Sequence, residues 1–257
     1  VLSAEGNDLV VAGRMERFAW AGANLGTLAL SGEVGLYDEL PFDIEATADA
    51  IAIGRLSGEQ ARLSVTGSSE SVAGVFSKRG DVSGELRLQA SAAGDGWRGS
   101  LSPGPIDTPA GRWVSSGAVD LVFDPAQTRL LVSSHCWLSA GSEICLDDAS
   151  IGTDGAAGAQ LDLELALFEF LLPAQLSVSG RLAGRADIGW AADAPFAGTL
   201  AAELSAARLT QQLPEGEAAE FSIDSASLAM AAGGEGGSLK ASVQRGSTRI
   251  AAVDLKL

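Results

Sequence analysis

The chain has 257 residues, enough for one large or two modest domains, and 46% of them are hydrophobic, which is typical of a globular protein. Its 17 basic and 33 acidic residues give a formal net charge of −16. This excess of acid argues against a nucleic-acid partner, because phosphate binding needs clustered Lys and Arg. One histidine, two cysteines and one tyrosine leave few groups for chemistry. We therefore expect no enzyme, no cofactor and no metal.

The two ends of the chain lie within alternating segments, and no apolar run reaches the roughly 18 residues that a membrane-spanning helix requires. Neither an initiator methionine nor a signal peptide is present. We therefore expect a fragment of a longer protein, with any membrane anchor outside it.

Alternation of apolar and polar residues is the dominant pattern along the chain. It is strict over residues 161–165 and recurs over 42–46 and 182–190. Successive side chains of a strand point to opposite faces, so each such segment has one apolar and one polar face. Turn residues recur every 10 to 14 residues or so, which predicts about 18 to 20 antiparallel strands. The sequence therefore predicts an all-β protein, treated as one continuous segment over residues 1–257.

Two stretches interrupt this pattern. Residues 102–110 contain three prolines, which lack the N–H that a sheet needs, so they predict an irregular excursion. Alternation also collapses over residues 167–172 before Pro173, which predicts a short helical turn.

The single histidine, His135, stands next to Cys136. Adjacent strand residues point to opposite faces, so this pair is not expected to act as nucleophile and base. A metal site that joins these two residues to Cys145 would lack a usual fourth ligand nearby.

Several motifs occur in an order that resembles the TamB family, within the AsmA-like group of bridge-type lipid-transfer proteins. They are the run LDLELALFEFLLP at 161–173, the run LSVSGRLAG at 176–184, and the segment APFAGTL at 194–200. The two cysteines also look like a pair that many members of this family carry just upstream. The motifs are those of the middle region of the family's chain.

This resemblance implies a long, twisted antiparallel sheet that is curled into an open groove with an apolar interior. It also implies a periplasmic location in a Gram-negative bacterium, an inner-membrane anchor, and transport of phospholipid acyl chains between the two membranes. The implied partner is a TamA-type barrel of the outer membrane. One alternative is a scaffold that holds nascent outer-membrane strands by β-augmentation, and another is a closed sandwich with a dry core.

In an open groove the apolar side chains line the interior, and the abundance of Ala, Gly and Leu at these positions leaves room for acyl chains. The residues that we expect to line the groove are Leu28, Leu30, Ile44, Ile51, Ile53, Leu63, Val65, Leu86, Leu121, Phe123, Leu163, Leu165, Leu182, Ile188, Trp190, Leu204, Ile223, Leu228, Val243 and Leu255.

The segment between the cysteines predicts a β-hairpin. A two-residue turn at Ala140 and Gly141 would place Cys136 opposite Cys145 at a non-hydrogen-bonded position, where Cα atoms lie about 4.5 Å apart. Disulfides tolerate roughly 4.4 to 6.8 Å, and an exported, oxidising location favours closure. A turn longer by one residue would shift the pairing, and two unpaired buried thiols are the alternative. We expect the disulfide.

Overall fold

The computed structural model describes residues 2–5, 7–20, 23–37, 39–53, 56–213, 217–234 and 236–256. Side chains are described for residues 7–17, 24–37, 39–52, 57–194, 196–213, 217–234 and 236–256. The chain forms two compact units, Val1–Ala126 and Gln127–Leu257, which we call unit 1 and unit 2.

Unit 1 is an antiparallel meander. Each strand from β1 to β8 pairs with the next, β11 pairs with β8, and β9 forms a hairpin with β10. The strands are β1 (Leu2–Glu5), β2 (Asp8–Trp20), β3 (Ala23–Gly35), β4 (Phe42–Ile53), β5 (Leu56–Gly67), β6 (Ser71–Gly80), β7 (Gly84–Ala93), β8 (Gly96–Pro103), β9 (Ile106–Thr108), β10 (Gly111–Ser115) and β11 (Val119–Asp124).

Unit 2 is built in the same way. Strands β15 to β21 pair consecutively, β12 pairs with β15, and β14 pairs with both β13 and β16. Its strands are β12 (Arg129–Val132), β13 (His135–Ser139), β14 (Ser142–Leu146), β15 (Ala149–Ile151), β16 (Gly155–Glu164), β17 (Leu176–Ala191), β18 (Ala194–Gln212), β19 (Ala218–Gly233), β20 (Gly236–Arg245) and β21 (Thr248–Lys256).

The all-β prediction is confirmed: the described residues contain 21 strands, and each strand pair given above is antiparallel. Within each unit, the described strand pairs do not join the first strand of the sheet to the last, so each sheet is open. The strand count exceeds the predicted 18 to 20 because β9, β12 and β15 are only three or four residues long.

Register keeps the apolar residues of successive strands on one face. In unit 1, Leu63 lies opposite Phe76, which lies opposite Leu86. In unit 2, Leu182 lies between Leu163 and Leu204. We call this side of each sheet the apolar face, and the opposite side the polar face.

Within the described part of the chain, no second layer of structure covers the apolar face of either unit. Among the residues whose side chains are described, only two hydrophobic ones are buried: Val119, with 1% of its surface exposed, and Leu163, with 7%. A sandwich would bury the apolar positions of two sheets against each other. The observed burial therefore agrees with the predicted open sheet and not with the sandwich alternative.

The expectation that residues 102–110 leave the sheet is wrong for the first two of them. Ser102 and Pro103 end β8 in register with β7, whereas β9 pairs with β10 in a separate hairpin that an isolated bridge between Asp107 and Ser83 joins to the rest. The last residue of β8 that pairs with β11 is Leu101. Pro103 therefore lies beyond that pairing, where its missing N–H is tolerated.

A 3₁₀ helix runs over Leu165–Leu171, where the sequence predicted a helical turn over residues 167–172. Leu165 is its first residue, because β16 ends at Glu164. The sequence letters alternate through Leu165, but the backbone leaves the extended conformation before that residue. The expected place of Leu165 on a strand is therefore wrong.

Irregular positions line up across neighbouring strands of unit 1. Arg17 lies opposite Gly26, Gly26 opposite Ala50, and Ala50 opposite Glu59, each between regular pairs of β2 to β5. The backbone is left-handed at Arg17 (φ 56°) and Ala50 (φ 53°). Such a residue resembles a β-bulge, which bends a strand and increases its twist. We call these four residues the unit 1 bulge line.

Unit 2 contains a similar line. Gly180 of β17 (φ 123°) faces Ala206 of β18 (φ 49°), which lies opposite Asp224 of β19. Asp224 accepts a hydrogen bond from the N–H of Gly246, which follows β20. We call Gly180, Ala206 and Asp224 the unit 2 bulge line.

Gly180 tests whether the bulge line is required for the fold. A Cβ at Gly180 would lie 2.8 Å from Cα of Ala207, and a φ of +123° is unfavourable for any other residue. We expect Gly180→Ala to lower the free energy of unfolding by about 1–3 kcal/mol, measured by urea denaturation of the whole chain. Gly189→Ala on the same strand is the control, because its Cβ would meet only the carbonyl oxygen of Gly155 at 3.7 Å. Equal stability of the two variants would show that the bulge line carries no strain.

Candidate functional site

The apolar face of unit 1 brings together most of the predicted groove residues. Register places one group of them on β3 to β5, another on β7 and another on β11, all on the same side of the sheet. The side chain of Ile53 lies outside the described residues. The unit 1 residues that share this face are Leu28, Leu30, Ile44, Ile51, Leu63, Val65, Leu86, Leu121 and Phe123.

The apolar face of unit 2 holds a second set. Leu163, Leu182 and Leu204 form a row across three strands, which continues to Ala226 and Val243. Leu165 lies in the 3₁₀ helix and not on this face of a strand. The other predicted residues on the face are Ile188, Trp190, Ile223, Leu228 and Leu255.

Sequence reasoning missed further members of both faces. Most of them alternate in step with a predicted residue of the same strand, but Phe76 and Leu101 lie on strands without one and Leu209 lies beyond the unit 2 bulge line, so their face becomes certain only from the register with a neighbouring strand. The missed residues include Phe76, Leu88, Leu101 and Val119 in unit 1, and Leu161, Leu200, Leu209, Phe221, Met230, Leu239 and Val253 in unit 2.

These side chains are accessible from solvent to an unusual degree. The exposed fraction is 37% for Leu200, 45% for Met230 and 47% for Leu255, which lie on successive parts of the unit 2 face. Isolated exposed hydrophobic residues are ordinary, but contiguous exposed apolar surface marks a binding site. The face offers hydrocarbon contact and almost no hydrogen bonds, so it suits an apolar ligand without fixing its orientation.

The polar faces carry ion pairs that bridge neighbouring strands. In unit 2, Arg181 binds Asp162 and also Glu164, with 3.1 Å between nitrogen and oxygen in the latter pair. The hydrogen bond from Arg181 lowers the pKa of Asp162. These pairs lie in solvent, where each contributes little to stability, so their main effect is to favour one register.

A second cluster on the same face centres on Arg185. Its guanidinium lies 3.1 Å from Asp147 and 2.9 Å from Asp187. The hydrogen bond from Arg185 lowers the pKa of the Asp187 carboxyl. The acidic residues here act as partners of arginine on a solvated surface.

A cavity of 610 Å³ also lies on the polar face of unit 2. Small side chains, Ala183, Ala201 and Ala229, form its floor, and Asp162 and Glu203 stand beside them. Register puts these five residues on the side of the sheet opposite the leucine row, although Leu161 and Leu228 of the apolar face also line the cavity.

The family model described as "TamB, N-terminal domain" matches residues 5–257, which is nearly the whole chain. The chain belongs to the TamB family. The sequence motifs alone indicated the middle of the family's chain, whereas the matching model is that of the N-terminal domain.

The chain is similar to the translocation and assembly module subunit TamB of Haemophilus influenzae, with 32% identity over 106 residues. That alignment covers 39% of this chain and 8% of the Haemophilus protein, so the chain spans a small part of that relative. No solved structure matches it. Within the described residues, no helix has the length and apolar character needed to cross a bilayer.

The cysteines of this TamB-family chain lie in the hairpin that the sequence predicted. Cys136 is opposite Cys145, and the turn residues Ala140 and Gly141 both have positive φ, at 38° and 84°. Turns of this kind match the twist of the flanking strands. The structure contains a disulfide between the two cysteines, with Cα atoms 4.0 Å apart.

The cysteines and His135 lie on different faces. Register puts Cys145 opposite Gln160 on the polar face, while His135 and Trp137 share the apolar face with Ile144. A ring nitrogen of His135 lies 3.1 Å from the carbonyl oxygen of Ser133. One possible ligand group among the described residues joins both cysteines with Glu143, but the sulfur atoms are bonded to each other and offer no thiolate.

Removal of the disulfide by substitution of both cysteines tests its structural role. It closes a short loop, so Cys136→Ser with Cys145→Ser should lower the free energy of unfolding by about 2–3 kcal/mol, measured by urea denaturation. The spectrum of the folded sheet should remain unchanged. Two titratable thiols in denatured, unreduced wild-type chain would contradict the assignment.

Proposed function

We propose that this chain is a segment of a TamB-family conduit in the Gram-negative envelope, in which phospholipid acyl chains move along the apolar faces. The observation that supports it is the open apolar face that both units repeat strand after strand, with only two buried hydrophobic side chains among those described. Such a face needs an apolar occupant, and an acyl chain is long, flexible and unselective enough to follow it.

The hydrophobic effect would supply the affinity. Each CH₂ removed from water gains roughly 0.8 kcal/mol, so a diacyl lipid would partition strongly onto the leucine rows. Movement along the face also needs an even energy profile. Leucine, alanine and glycine alternate across the rows without deep pockets, as at Leu182, Gly184 and Ala186 of β17.

The proposed role is non-enzymatic. It requires no nucleophile, cofactor or metal, because the lipid is transferred unchanged. The acidic polar faces would keep so apolar a protein soluble in the periplasm.

The full-length protein would be anchored in the inner membrane and would act with a TamA-type barrel in the outer membrane. This part of the proposal rests on family membership and on the printed name of the Haemophilus relative, a subunit of a translocation and assembly module.

Photo-crosslinking can test the occupant of the apolar face. A benzophenone amino acid at Leu204 should crosslink to phospholipid when the purified chain is incubated with liposomes and irradiated, since Leu204 lies in the leucine row. Glu203 is the matched control, because it is the preceding residue of β18 and points to the polar face. Mass spectrometry of the adducts gives the result.

Equal lipid labelling at both positions, or none at Leu204, would contradict the conduit. The alternative function is a scaffold for nascent outer-membrane strands. It predicts that position 204 labels an added unfolded barrel polypeptide and not lipid.

A further inference from the structure

Away from the bulge lines, each apolar face has a single charged side chain among those that are described. Outside the bulge lines, Lys78 is the only Lys, Arg, Asp or Glu among the described side chains on the apolar face of unit 1, and Arg245 is the only one on that of unit 2. A cation on an apolar surface loses hydration and needs a compensating partner. Such a cation occurs on both apolar faces, which away from the bulge lines are otherwise uncharged in the described part of the chain. A ligand of opposite charge would therefore compensate either cation.

Lys78 lies on the apolar face because it is opposite Ala61 and alternates with Phe76. It is half-buried, and its Nζ donates a hydrogen bond to the carbonyl oxygen of Val82 at 3.0 Å. An ammonium group has three donors. The described residues give Lys78 no ion pair at contact distance. Its charge acts on Asp81, whose pKa is lowered mainly by hydrogen bonds from Ser57 at 2.6 Å and 2.9 Å and also by Lys78.

Small residues surround this lysine. Ala61 and Gly84 are its cross-strand neighbours, and Gly58 and Gly80 pair with each other one step further along. A Cβ at Gly58 would lie 3.3 Å from Cε of Lys78. The lysine side chain therefore packs over the backbone of Gly58 next to the unit 1 bulge line, and the absence of a side chain at Gly58 is what lets it lie there.

Arg245 has a corresponding place in unit 2. It ends β20 next to the unit 2 bulge line, and its guanidinium carbon lies 5.9 Å from the ring centroid of Phe221, a residue of the apolar face. The ring holds the guanidinium over the face through a cation–π contact. The carboxylate of Asp224 is bonded to the N–H of Gly246, and no ion pair of Arg245 occurs among the described residues.

We infer that Lys78 and Arg245 bind the phosphate of a phospholipid headgroup whose acyl chains lie on the apolar face. This inference rests on the proposed function. Each cation would mark a position on the apolar face of its own unit at which a headgroup pauses, while the apolar side chains of that face hold the acyl chains. Arginine and lysine both recognise phosphate, through charge-assisted hydrogen bonds.

The test compares a phospholipid with a diacylglycerol that has the same acyl chains but no phosphate. Binding to the 257-residue chain is measured by displacement of a fluorescent fatty acid. The double variant Lys78→Gln, Arg245→Gln should bind phosphatidylethanolamine about tenfold more weakly, the effect of losing charged hydrogen bonds, and diacylglycerol with unchanged affinity.

The chain offers a matched control, Arg79→Gln with Arg249→Gln. It removes the same formal charge from positions that point to the polar face, since Arg79 lies opposite Gln60 and Arg249 opposite Gln244. This control should bind both lipids as the wild type does.

Equal phospholipid affinity in wild type and double variant would overturn the inference, and so would a parallel loss for both lipids. If inorganic phosphate binds as tightly as the phospholipid and the double variant loses it, the cations form a free-anion site and the headgroup assignment is wrong. A wild-type chain that binds neither lipid would refute the proposed function itself.

Discussion

The hydrogen-bond ladder between antiparallel strands supports the rest of the structure, because it is the main cohesion in a sheet that has no second layer. In most domains, burial of a shared core fixes which strands pair and how. Here the described side chains include only two buried hydrophobic residues. Register must therefore be specified within the sheet, by cross-strand leucine rows on one face and by ion pairs such as Arg62–Glu45, at 2.8 Å, on the other.

The bulge lines show how irregular positions are accommodated while the apolar side chains stay on one side of the sheet. An irregular residue in one strand alone would send all later apolar residues to the wrong face. In unit 1 the irregular residues of β2 to β5 lie opposite each other, and on β3 and β4 the apolar face switches between odd and even positions at the same level: Leu25 and Leu28 share a face, as do Ile51 and Ala48. The apolar face remains continuous while the sheet gains a line along which it can bend. The two cations proposed as headgroup sites lie next to these lines.

The strands and most apolar-face residues could be predicted from the sequence, because alternation with a period of two residues shows directly which side of the sheet each side chain points to. Ile44 and Ile51 were both placed on the apolar face although one position is even and the other odd. The cause of that change was not predictable, since alanine at position 50 gives no sign of a left-handed conformation. Lys78 was also missed. A single polar residue at an apolar position of the alternating pattern looks the same as the end of a strand until its cross-strand neighbour, Ala61, is known. Pro103 shows the reverse case, in which a residue that usually breaks sheets is accommodated where the adjacent strand has ended.

The central claim is that the apolar faces are open to acyl chains, and native mass spectrometry of the purified chain tests it most directly. The account predicts that phospholipid co-purifies with the chain, and that Leu182→Asp with Leu204→Asp removes it while the β-sheet spectrum is retained, because an unpaired charge on the leucine row costs several kcal/mol or so. The matched change Ala183→Asp with Ser205→Asp, on the polar face, should leave the lipid bound. A lipid-free wild-type chain, or lipid retained after charges enter the leucine row, would contradict the account.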